Sequence, residues 1–525
     1  MILSTMILVN AQNLDWGLPG SWNPDELVYR SLLALDGKWE FDTLNFDYPS
    51  LPKYVMLYTG RLTDALGIPR LEFIVIARLI SVLLGAMSAS LAFILIRQMG
   101  GTHWTALLAA LLVATNSELA VNSHYAHNDL YVTFFVALCL VFTMQYLNSE
   151  KRVWLYFSFF TAGLAASSKY NGGAIILAAL LAHGLVAKEQ LLRERFHAIE
   201  TLFMGAVLSI AGYVLGTPRA LTYFRFYIMN LLPALARHAV WNRTPDSLRG
   251  WLGQWELMVS AFGFAVFLLF LISLAVFIVI SIRFISRRQK VDPVIRNRLL
   301  VIFGSIFVLD LPIMISYNVQ NRFFLPLLVP IAVFCAYLVE RLLKWLEQKE
   351  KKLCIILVVV AVVVILLSSA ARIASVTLSF KHDARIAAGK FLETLPPDAH
   401  YEATWYAPNF PDALRNTAEY PLVFLKFPDQ TVPTDTLTPC NVGEKGVELR
   451  KPDYLVVSSF IYERFEDPFI CERHQADCDF FQKLLKGETN YAEIAYFNYE
   501  VPTFLPRLEL KFVNPQIRIF ERKAN

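Results

Sequence analysis

Ten apolar segments, each close to the length that crosses a bilayer, constrain this chain more than any other feature of its sequence. The hydrocarbon core of a membrane is about 30 Å thick, so a spanning helix needs about 20 apolar residues. The segments are 73–97, 104–121, 129–147, 153–168, 171–187, 198–216, 256–282, 299–317, 323–341 and 353–372. We therefore predict a polytopic α-helical membrane protein with ten spans.

The composition excludes several other classes of protein. Of the 525 residues, 56% are hydrophobic and 18% are charged, whereas soluble chains average about 25% charged residues. The chain is therefore neither one large soluble enzyme nor a disordered protein. A net charge of +4 is too small to indicate nucleic-acid binding. The lipid bilayer is the first partner that the sequence predicts.

Lysine and arginine are unevenly divided between two alternating sets of loops. One set carries 17 of them and the opposite set carries 7. Because cytoplasmic loops are enriched in these residues, we predict that segment 10–72 and the tail from residue 373 both lie outside the cell membrane. Residues 1–9 are apolar but too short to span, and we interpret them as the outer end of a truncated first helix. The predicted domains are a transmembrane catalytic bundle at 1–372 and an extracytoplasmic α/β domain at 373–525.

Three outer stretches have the apolar spacing of amphipathic helices. They are 26–39, 53–66 and 220–241. Such helices can lie in the plane of the membrane interface. They either cover the bundle or guide a lipid headgroup towards a site.

The tail has short apolar runs and more proline than the bundle. We predict one helix at 383–394, stopped by Pro396 and Pro397, and another near 475–486. Strands are predicted near 400–406, 453–459, 491–499, 508–513 and 516–521. Cys471 and Cys478 can pair if the tail faces an oxidising compartment, which leaves Cys440 over.

Asp25 and Glu26 open the first amphipathic helix. Asp25 can simply cap that helix by accepting backbone N–H groups. Alternatively, it acts as a general base, because partial desolvation near the membrane raises a carboxyl pKa.

A second polar cluster, which includes His124, His127 and Asp129, fills a short outer turn between two spans. Asp129 can cap the helix that follows. Imidazole and carboxylate groups also suit several divalent metals, so a metal is possible, although no further ligand set is evident. Substrate binding, or orientation of Asp25, is the alternative that we favour.

Three cations lie at the outer ends of spans, against the usual charge asymmetry. They are Lys169, Arg219 and Arg322, with Tyr170 and Tyr317 close in sequence to the first and last. Single basic residues at such positions often extend to lipid headgroups. Together with the outer carboxylates, they indicate instead a clamp for a lipid phosphate, held by charge-assisted hydrogen bonds.

In these features the chain resembles a family 39-type glycosyltransferase of the GT-C superfamily, which includes protein O-mannosyltransferases and lipid A aminoarabinose transferases. The resemblance covers most of residues 20–405. It depends on short motifs in a characteristic order: Asn23-Pro24-Asp25-Glu26, Asp47-Tyr48-Pro49-Ser50-Leu51-Pro52-Lys53, His124-x-Ala126-x-x-Asp129, Ser168-Lys169-Tyr170, Asn321-Arg322-Phe323-Phe324-Leu325-Pro326 and Asp383-x-Arg385-x-x-Ala388.

The resemblance implies transfer of a sugar from a polyprenyl-phosphate donor to a protein, lipid or glycan acceptor. Asp25 matches the residue that deprotonates the acceptor, Glu26 is its neighbour, and Asp129 matches the second acidic position. Lys169 and Arg322 match positions near the donor phosphate, and we add Arg219 to them. We expect His124, His127, Tyr170 and Tyr317 to contact substrate. No cofactor is certain, and many relatives have arginine where His127 stands.

A transporter or lipid flippase is the main alternative function. That class needs charged or broken sites near the midplane and two access routes, whereas the charges here gather on one face. An oligosaccharyltransferase or polymerase with a diphosphate donor is a second alternative, and no DxD-like pair or WWD-type motif supports it. A non-enzymatic scaffold would tolerate the loss of Asp25 and Asp129 together.

Overall fold

The computed structural model describes residues 2–20, 22–35, 48–187, 195–240, 250–287, 292–317, 319–414, 418–419 and 443–524. The chain divides into two compact units. The first comprises residues 1–14 and 25–374, and the second comprises residues 15–24 and 375–525. The short segment 15–24 thus belongs to the second unit, although it precedes the helical bundle in sequence.

The described elements of the first unit are helices, as the apolar segments predicted, but fewer of them than the ten predicted spans are long enough to cross a membrane. Within the described residues, six helices are long and apolar enough to cross a membrane, or seven if one bent pair is a single span. The helices are α1 (Ile2–Asn10), α2 (Val28–Leu35), α3 (Leu51–Ala65), α4 (Arg70–Gln98), α5 (His103–Ala114), α6 (Ser117–Ser123), α7 (Asp129–Ser149), α8 (Arg152–Ser168), α9 (Ile176–Ala187), α10 (Arg195–Gly216), α11 (Arg219–Thr222), α12 (Phe224–Val240), α13 (Gly250–Phe262), α14 (Phe264–Arg287), α15 (Pro293–Ile315), α16 (Leu325–Gln348) and α17 (Lys352–Lys381).

Two of the predicted spans are broken, and both breaks have a local cause. Segment 104–121 divides into α5 and α6 with a bend of 57°, because Asn116 caps α6 by accepting from the backbone N–H of Leu119 at 2.9 Å. Segment 256–282 is interrupted at Gly263, whose φ of +83° lies in the left-handed region that favours glycine. The uninterrupted apolar helix therefore begins at residue 264.

The predicted amphipathic helices form where their apolar spacing placed them. Segment 53–66 corresponds to α3, and 220–241 corresponds to α11 and α12. The stretch 26–39 forms α2, and its residues 36–39 lie outside the described residues, as does Asp47.

Helices α8 and α10 pack so closely that a glycine of each helix lies against the backbone of the other. A Cβ atom at Gly163 would lie 2.1 Å from the carbonyl oxygen of Ser209. A Cβ atom at Gly212 would lie 2.2 Å from the carbonyl oxygen of Phe160. Small residues of this kind allow membrane helices to pack backbone against backbone.

Gly163→Ala is expected to destabilise the bundle by about 1–3 kcal/mol, because backbone cannot move aside as a flexible side chain can. Thermal unfolding of the purified protein in detergent measures the loss. Gly184→Ala on α9 is the control, since a Cβ there meets nothing within 4 Å and alanine favours helix. Equal melting temperatures for both variants would contradict the close packing.

The second unit is built on a five-stranded mixed sheet with helices around it. The strand order is β2-β1-β3-β5-β4, with β1 parallel to both β2 and β3 and with β5 antiparallel to both β3 and β4. The strands are β1 (Tyr401–Ala403), β2 (Ala418–Glu419), β3 (Tyr454–Ser458), β4 (Tyr491–Phe497) and β5 (Ile517–Arg522). The helices are α18 (Ala384–Leu392), α19 (Glu444–Arg450), α20 (Ser459–Tyr462), α21 (Pro468–Arg473) and α22 (Gln475–Lys486).

Strand β3 shows how the sheet is covered on both faces. Leu455 and Val457 pack in a cluster with aromatic residues of α22. Tyr454 and Val456 point the other way, into a cluster with Leu392 of α18. This alternation is the period of two that a buried strand requires. The α/β prediction for the tail is thus confirmed.

One predicted strand, 508–513, is wrong. The segment turns instead of extending, because Phe512 and Asn514 have φ angles of +68° and +54°. The backbone N–H of Asn514 donates to Asp383 Oδ2 at 2.7 Å, and the carbonyl of Phe512 accepts from Arg385 at 2.7 Å. These bonds to the start of α18 replace the ladder that a strand would make.

The two cysteines that can pair do so. Cys471 on α21 and Cys478 on α22 form a disulfide bond. Cys440 lies outside the described residues. The bond fastens two short helices that pack on the aromatic cluster of this unit.

Segment 15–24 joins the second unit through two tryptophans. Trp16 Nε1 donates to Asp383 Oδ2 at 3.1 Å. The guanidinium of Arg385 lies over the ring of Trp22 at 4.1 Å from its centroid and pairs with Asp383 at 2.7 Å. The Asp383 and Arg385 motif therefore holds the polypeptide that leads into Asp25.

Candidate active site

Four charged residues from four separate segments of the first unit meet at one place. Asp25 precedes α2, and Asp129 is the first residue of α7. Lys169 lies between α8 and a 3-10 turn, and Arg322 lies in the 3-10 turn that leads into α16. Each of the four residues thus lies at or near the end of a helix.

Direct ion pairs connect the four residues. Lys169 Nζ donates to Asp129 Oδ1 at 2.6 Å. Arg322 Nη2 donates to Asp25 Oδ2 at 2.9 Å, and Arg322 Nε lies 4.0 Å from Asp129 Oδ2. Arg322 therefore links both carboxylates. We call this set the carboxylate–cation network.

The two carboxylates of the network differ in their access to solvent. The Asp25 side chain is 33% exposed, whereas that of Asp129 is 1% exposed. A buried carboxylate needs charged partners, and Asp129 has them in Lys169 and Arg322. Asp25 is the carboxylate that an incoming molecule can reach.

His127 completes the inner side of the network. Its Nδ1 lies 2.7 Å from Asp129 Oδ2, and the ring of Tyr48 packs edge-on against it at 5.5 Å. Burial lowers the pKa of His127, and the neighbouring Asp129 offsets this only in part. The ring is therefore neutral near pH 7 and donates from Nδ1 to the carboxylate.

Glu26 makes a different contact from its neighbour Asp25. Its two oxygens accept from Arg78 Nε at 3.0 Å and from Nη2 at 2.8 Å. The backbone N–H of Ala126 adds a bond of 2.8 Å to Glu26 Oε1. Both side chains are fully buried. Glu26 thus ties the segment of Asp25 to α4 and to the turn that carries His127.

The remaining predicted site residues, Arg219, Tyr170 and Tyr317, also lie in the first unit. The guanidinium of Arg219 lies over the ring of Tyr223 at 5.4 Å. Tyr170 hydrogen-bonds with the tyrosine pair Tyr213 and Tyr227. Tyr317 is half-buried and follows the C-terminal end of α15 in the chain. Their roles as donor or substrate contacts stay predictions.

His124 is bound to backbone on both sides of its ring. Nδ1 lies 2.8 Å from the carbonyl oxygen of Ala120, and Nε2 lies 2.9 Å from that of Gln12. These contacts hold the segment after α1 against the end of α6, and a role in substrate binding stays a prediction.

The sequence motifs contained two aromatic residues whose place in the site was missed. Phe323 lies under Lys169, with Nζ 4.3 Å from its ring centroid. Tyr48 packs on His127. Both stand beside a charged residue in a quoted motif, but nothing in one sequence showed that their rings would line the network.

Metal ligation, an alternative that the sequence left open, depends on how His, Cys, Asp and Glu side chains cluster. Across the part of the chain that the structure describes, no three His, Cys, Asp or Glu residues come together as a metal site. Within the network, Asp129 is already paired with two cations.

The fold of the chain is of the GT-C type. ArnT from Cupriavidus metallidurans, solved with bound undecaprenyl phosphate, has 14% sequence identity and a TM-score of 0.50. The superposition covers 99% of this chain and 97% of that one. At this identity the likeness shows the fold alone.

Sequence comparisons agree with this class over part of the chain. Residues 72–232 match the family of dolichyl-phosphate-mannose-protein mannosyltransferases. The undecaprenyl phosphate-α-4-amino-4-deoxy-L-arabinose arabinosyl transferase of Pseudomonas aeruginosa is 29% identical over 221 residues, which are 40% of this chain and 39% of that protein. A protein of Aquifex aeolicus is 27% identical over 123 residues, which are 23% of this chain and 25% of its own length.

These matches, with the fold, support the resemblance to GT-C superfamily proteins of the protein mannosyltransferase and ArnT type, and several described helices are long and apolar enough to span a membrane. The resemblance that the motifs predicted is confirmed. The chain spans about a quarter to two fifths of the length of the curated relatives that it matches.

Proposed function

We propose that this chain transfers a sugar from a polyprenyl-phosphate donor to a protein, lipid or glycan acceptor. The observation that carries the proposal is the carboxylate–cation network, in which a partly exposed Asp25 and a buried Asp129 share Arg322. Two cations at one place suit a phosphate anion, and an accessible carboxylate suits a nucleophile that must lose a proton.

The reaction that fits these groups is a displacement at the sugar C1 atom. The acceptor heteroatom forms a bond to C1 as the bond from C1 to the phosphate oxygen breaks. The acceptor proton goes to Asp25, and polyprenyl phosphate leaves as a monoester with an additional negative charge. Lys169 and Arg322 stabilise that charge as it develops, which lowers the barrier.

The proposed roles follow from exposure and pairing. Asp25 is the general base, and Asp129 holds Lys169 and Arg322 in position for the donor phosphate. Glu26 acts through its pairing with Arg78 and therefore positions Asp25. A base on the acceptor side predicts inversion at C1, by analogy with inverting glycosidases.

The relatives suggest two sugar classes for the donor. One matched family uses dolichyl-phosphate mannose, and a curated relative uses undecaprenyl phosphate-linked aminoarabinose. The unequal distribution of Lys and Arg between the loops supports an active site on the extracytoplasmic side.

The deciding experiment is a transfer assay with the purified full chain in detergent or nanodiscs. Polyprenyl-phosphate mannose and aminoarabinose are each offered with a panel of peptide, lipid A and glycan acceptors. A mass increase of one sugar on an acceptor, with release of polyprenyl phosphate, is expected. Movement of the lipid across a bilayer without any covalent product would favour the flippase alternative.

Lys169→Met is expected to reduce turnover about 10²–10³-fold, the loss typical when one group that stabilises a developing charge is removed. Methionine retains the length of the side chain and its contact with the Phe323 ring. Steady-state turnover at saturating donor measures the change. Lys344→Met is the control, because Lys344 pairs with Glu340 near the C-terminal end of α16, whereas Arg322 lies just before the start of that helix. Equal losses in both variants would argue against a specific role for Lys169.

A further inference from the structure

Arg372 is the charged residue that ends a long apolar stretch of α17. No charged residue lies between Lys352 and Arg372. Near the end of a span, arginine commonly extends to lipid headgroups. The guanidinium of Arg372 instead binds two other helices of the bundle. An ionisable residue that makes specific polar contacts at membrane depth is a candidate for a role in function.

The first contact of Arg372 is with the end of α13. Its Nη2 donates to the carbonyl oxygen of Ser260, which lies in the last turn of α13. The last carbonyls of a helix have no partner within that helix, and a cation stabilises this end of the helix dipole. The side chain also packs over the break that follows, because a Cβ atom at Gly263 would lie 3.1 Å from Arg372 Cδ.

The second contact of Arg372 is with the start of α6. Its Nε donates to Ser117 Oγ at 3.1 Å. The preceding residue, Asn116, donates from Nδ2 to the carbonyl oxygen of Ala261 at 3.0 Å. The end of α13 and the start of α6 are therefore fastened together by two side chains, at the places where both spans are broken.

Ser260 continues this connection to the carboxylate–cation network. Its Oγ accepts from Asn321 Nδ2 at 3.0 Å, and Asn321 immediately precedes Arg322 in the 3-10 turn. The rings of Phe262 and Phe324 add an apolar contact between the same two elements, with their centroids 6.2 Å apart. The turn that carries Arg322 thus packs on the end of α13 that Arg372 binds.

We propose that Arg372 is a positioning residue for Arg322 and acts through Ser260 and Asn321. The inference rests on the proposed function and deepens it, since it names what holds the phosphate-binding cation in place. Arg322 must keep one orientation to stabilise the charge that develops on the donor phosphate. A displacement of about 1 Å in such a group can cost about 100-fold in rate.

The test measures the affinity of the purified full chain in detergent for undecaprenyl phosphate, which carries the phosphate without the sugar. Arg372→Met is expected to weaken binding about tenfold. Ser260→Ala removes the hydroxyl that accepts from Asn321 but keeps the carbonyl that accepts from Arg372, and a similar loss is expected. Arg372→Lys keeps the charge and one donor group, so it is expected to restore part of the affinity.

A double-mutant cycle separates positioning from a general effect on the fold. Arg322→Met leaves Asp129 paired with Lys169 at 2.6 Å, so the buried carboxylate keeps a cation. Because Arg372 acts through Arg322, Arg372→Met is expected to cause no further loss of affinity in the Arg322→Met background.

Arg298→Met is the matched control. Arg298 Nη1 donates to the carbonyl oxygen of Met99 at 3.1 Å, just after the end of α4. The variant therefore also removes an arginine that binds the end of a helix, and its affinity for undecaprenyl phosphate is expected to stay unchanged. Melting temperatures of all variants are compared, so that a loss of stability is recognised as such.

Three outcomes overturn the positioning role. Arg372→Met could lower the affinity equally in the wild-type and Arg322→Met backgrounds, which would mean that Arg372 only supports the fold. Affinity could be unchanged in Arg372→Met or in Ser260→Ala, or the wild type could fail to bind undecaprenyl phosphate. Binding without sugar transfer would contradict the proposed function alone, and the cycle would still decide the role of Arg372.

Discussion

Asp25→Asn is expected to reduce sugar transfer by about 10²–10⁴-fold, the range over which a general base contributes to catalysis. Asparagine has nearly the same size but cannot accept the proton of the acceptor. The Asp25 side chain is 33% exposed and pairs with Arg322 at 2.9 Å, so it is both accessible and held in place. Turnover at saturating donor and acceptor measures the effect.

The donor affinity of the Asp25→Asn variant is expected to change much less than its turnover. This difference separates the loss of a base from a disturbance of Arg322, which would weaken binding of the donor phosphate. Asp64→Asn is the matched control, because Asp64 forms an ion pair with Arg70 in which both side chains are 39% exposed. Undiminished turnover in Asp25→Asn would remove Asp25 as the base.

Glu26→Gln is expected to lower the free energy of unfolding by about 3–5 kcal/mol, because it leaves the Arg78 guanidinium buried without its carboxylate. Both side chains of the pair are 0% exposed. Arg78 retains one bond of 2.7 Å to the Leu14 carbonyl, which does not neutralise its charge. The loss is read from thermal unfolding of the purified protein.

Removal of both members of this pair tests the cause of the instability. Glu26→Leu with Arg78→Leu is expected to recover part of the loss, since no charge then remains buried. Recovery is incomplete because the Ala126 N–H and the Leu14 carbonyl lose their partners. Arg70→Met, which breaks the exposed pair with Asp64, is expected to cost about 0–1 kcal/mol. A Glu26→Gln variant as stable as Arg70→Met would contradict the argument.

Helix positions in the bundle were largely predictable because apolar length depends on the bilayer and not on neighbours. The exceptions were local. The bend between α5 and α6 depends on the side-chain cap of Asn116, and the break at Gly263 depends on a left-handed backbone. Hydropathy averages over both features, so the segments 104–121 and 256–282 each read as one continuous span.

The tail was less predictable than the bundle because its strands are short and its contacts are distant in sequence. β3 and β5 were found from their apolar alternation. The apolar run at 508–513 has a similar composition, but it is turned by the bonds of Phe512 and Asn514 to Arg385 and Asp383, which lie about 130 residues earlier. A local sequence pattern does not indicate hydrogen-bond partners that lie so far away in the chain.

The sequence by itself determined the class of protein, the helical bundle and the identity of the charged candidates, because hydrophobic length and motif order are properties of local sequence. Only the tertiary structure decided which candidates meet. It brought Asp25, Asp129, Lys169 and Arg322 within ion-pair range, and it turned the adjacent Glu26 towards Arg78. Asp25 and Glu26, although adjacent in sequence, therefore have different partners. A buried charge requires a specific partner, and each of these partners comes from a different segment of the chain.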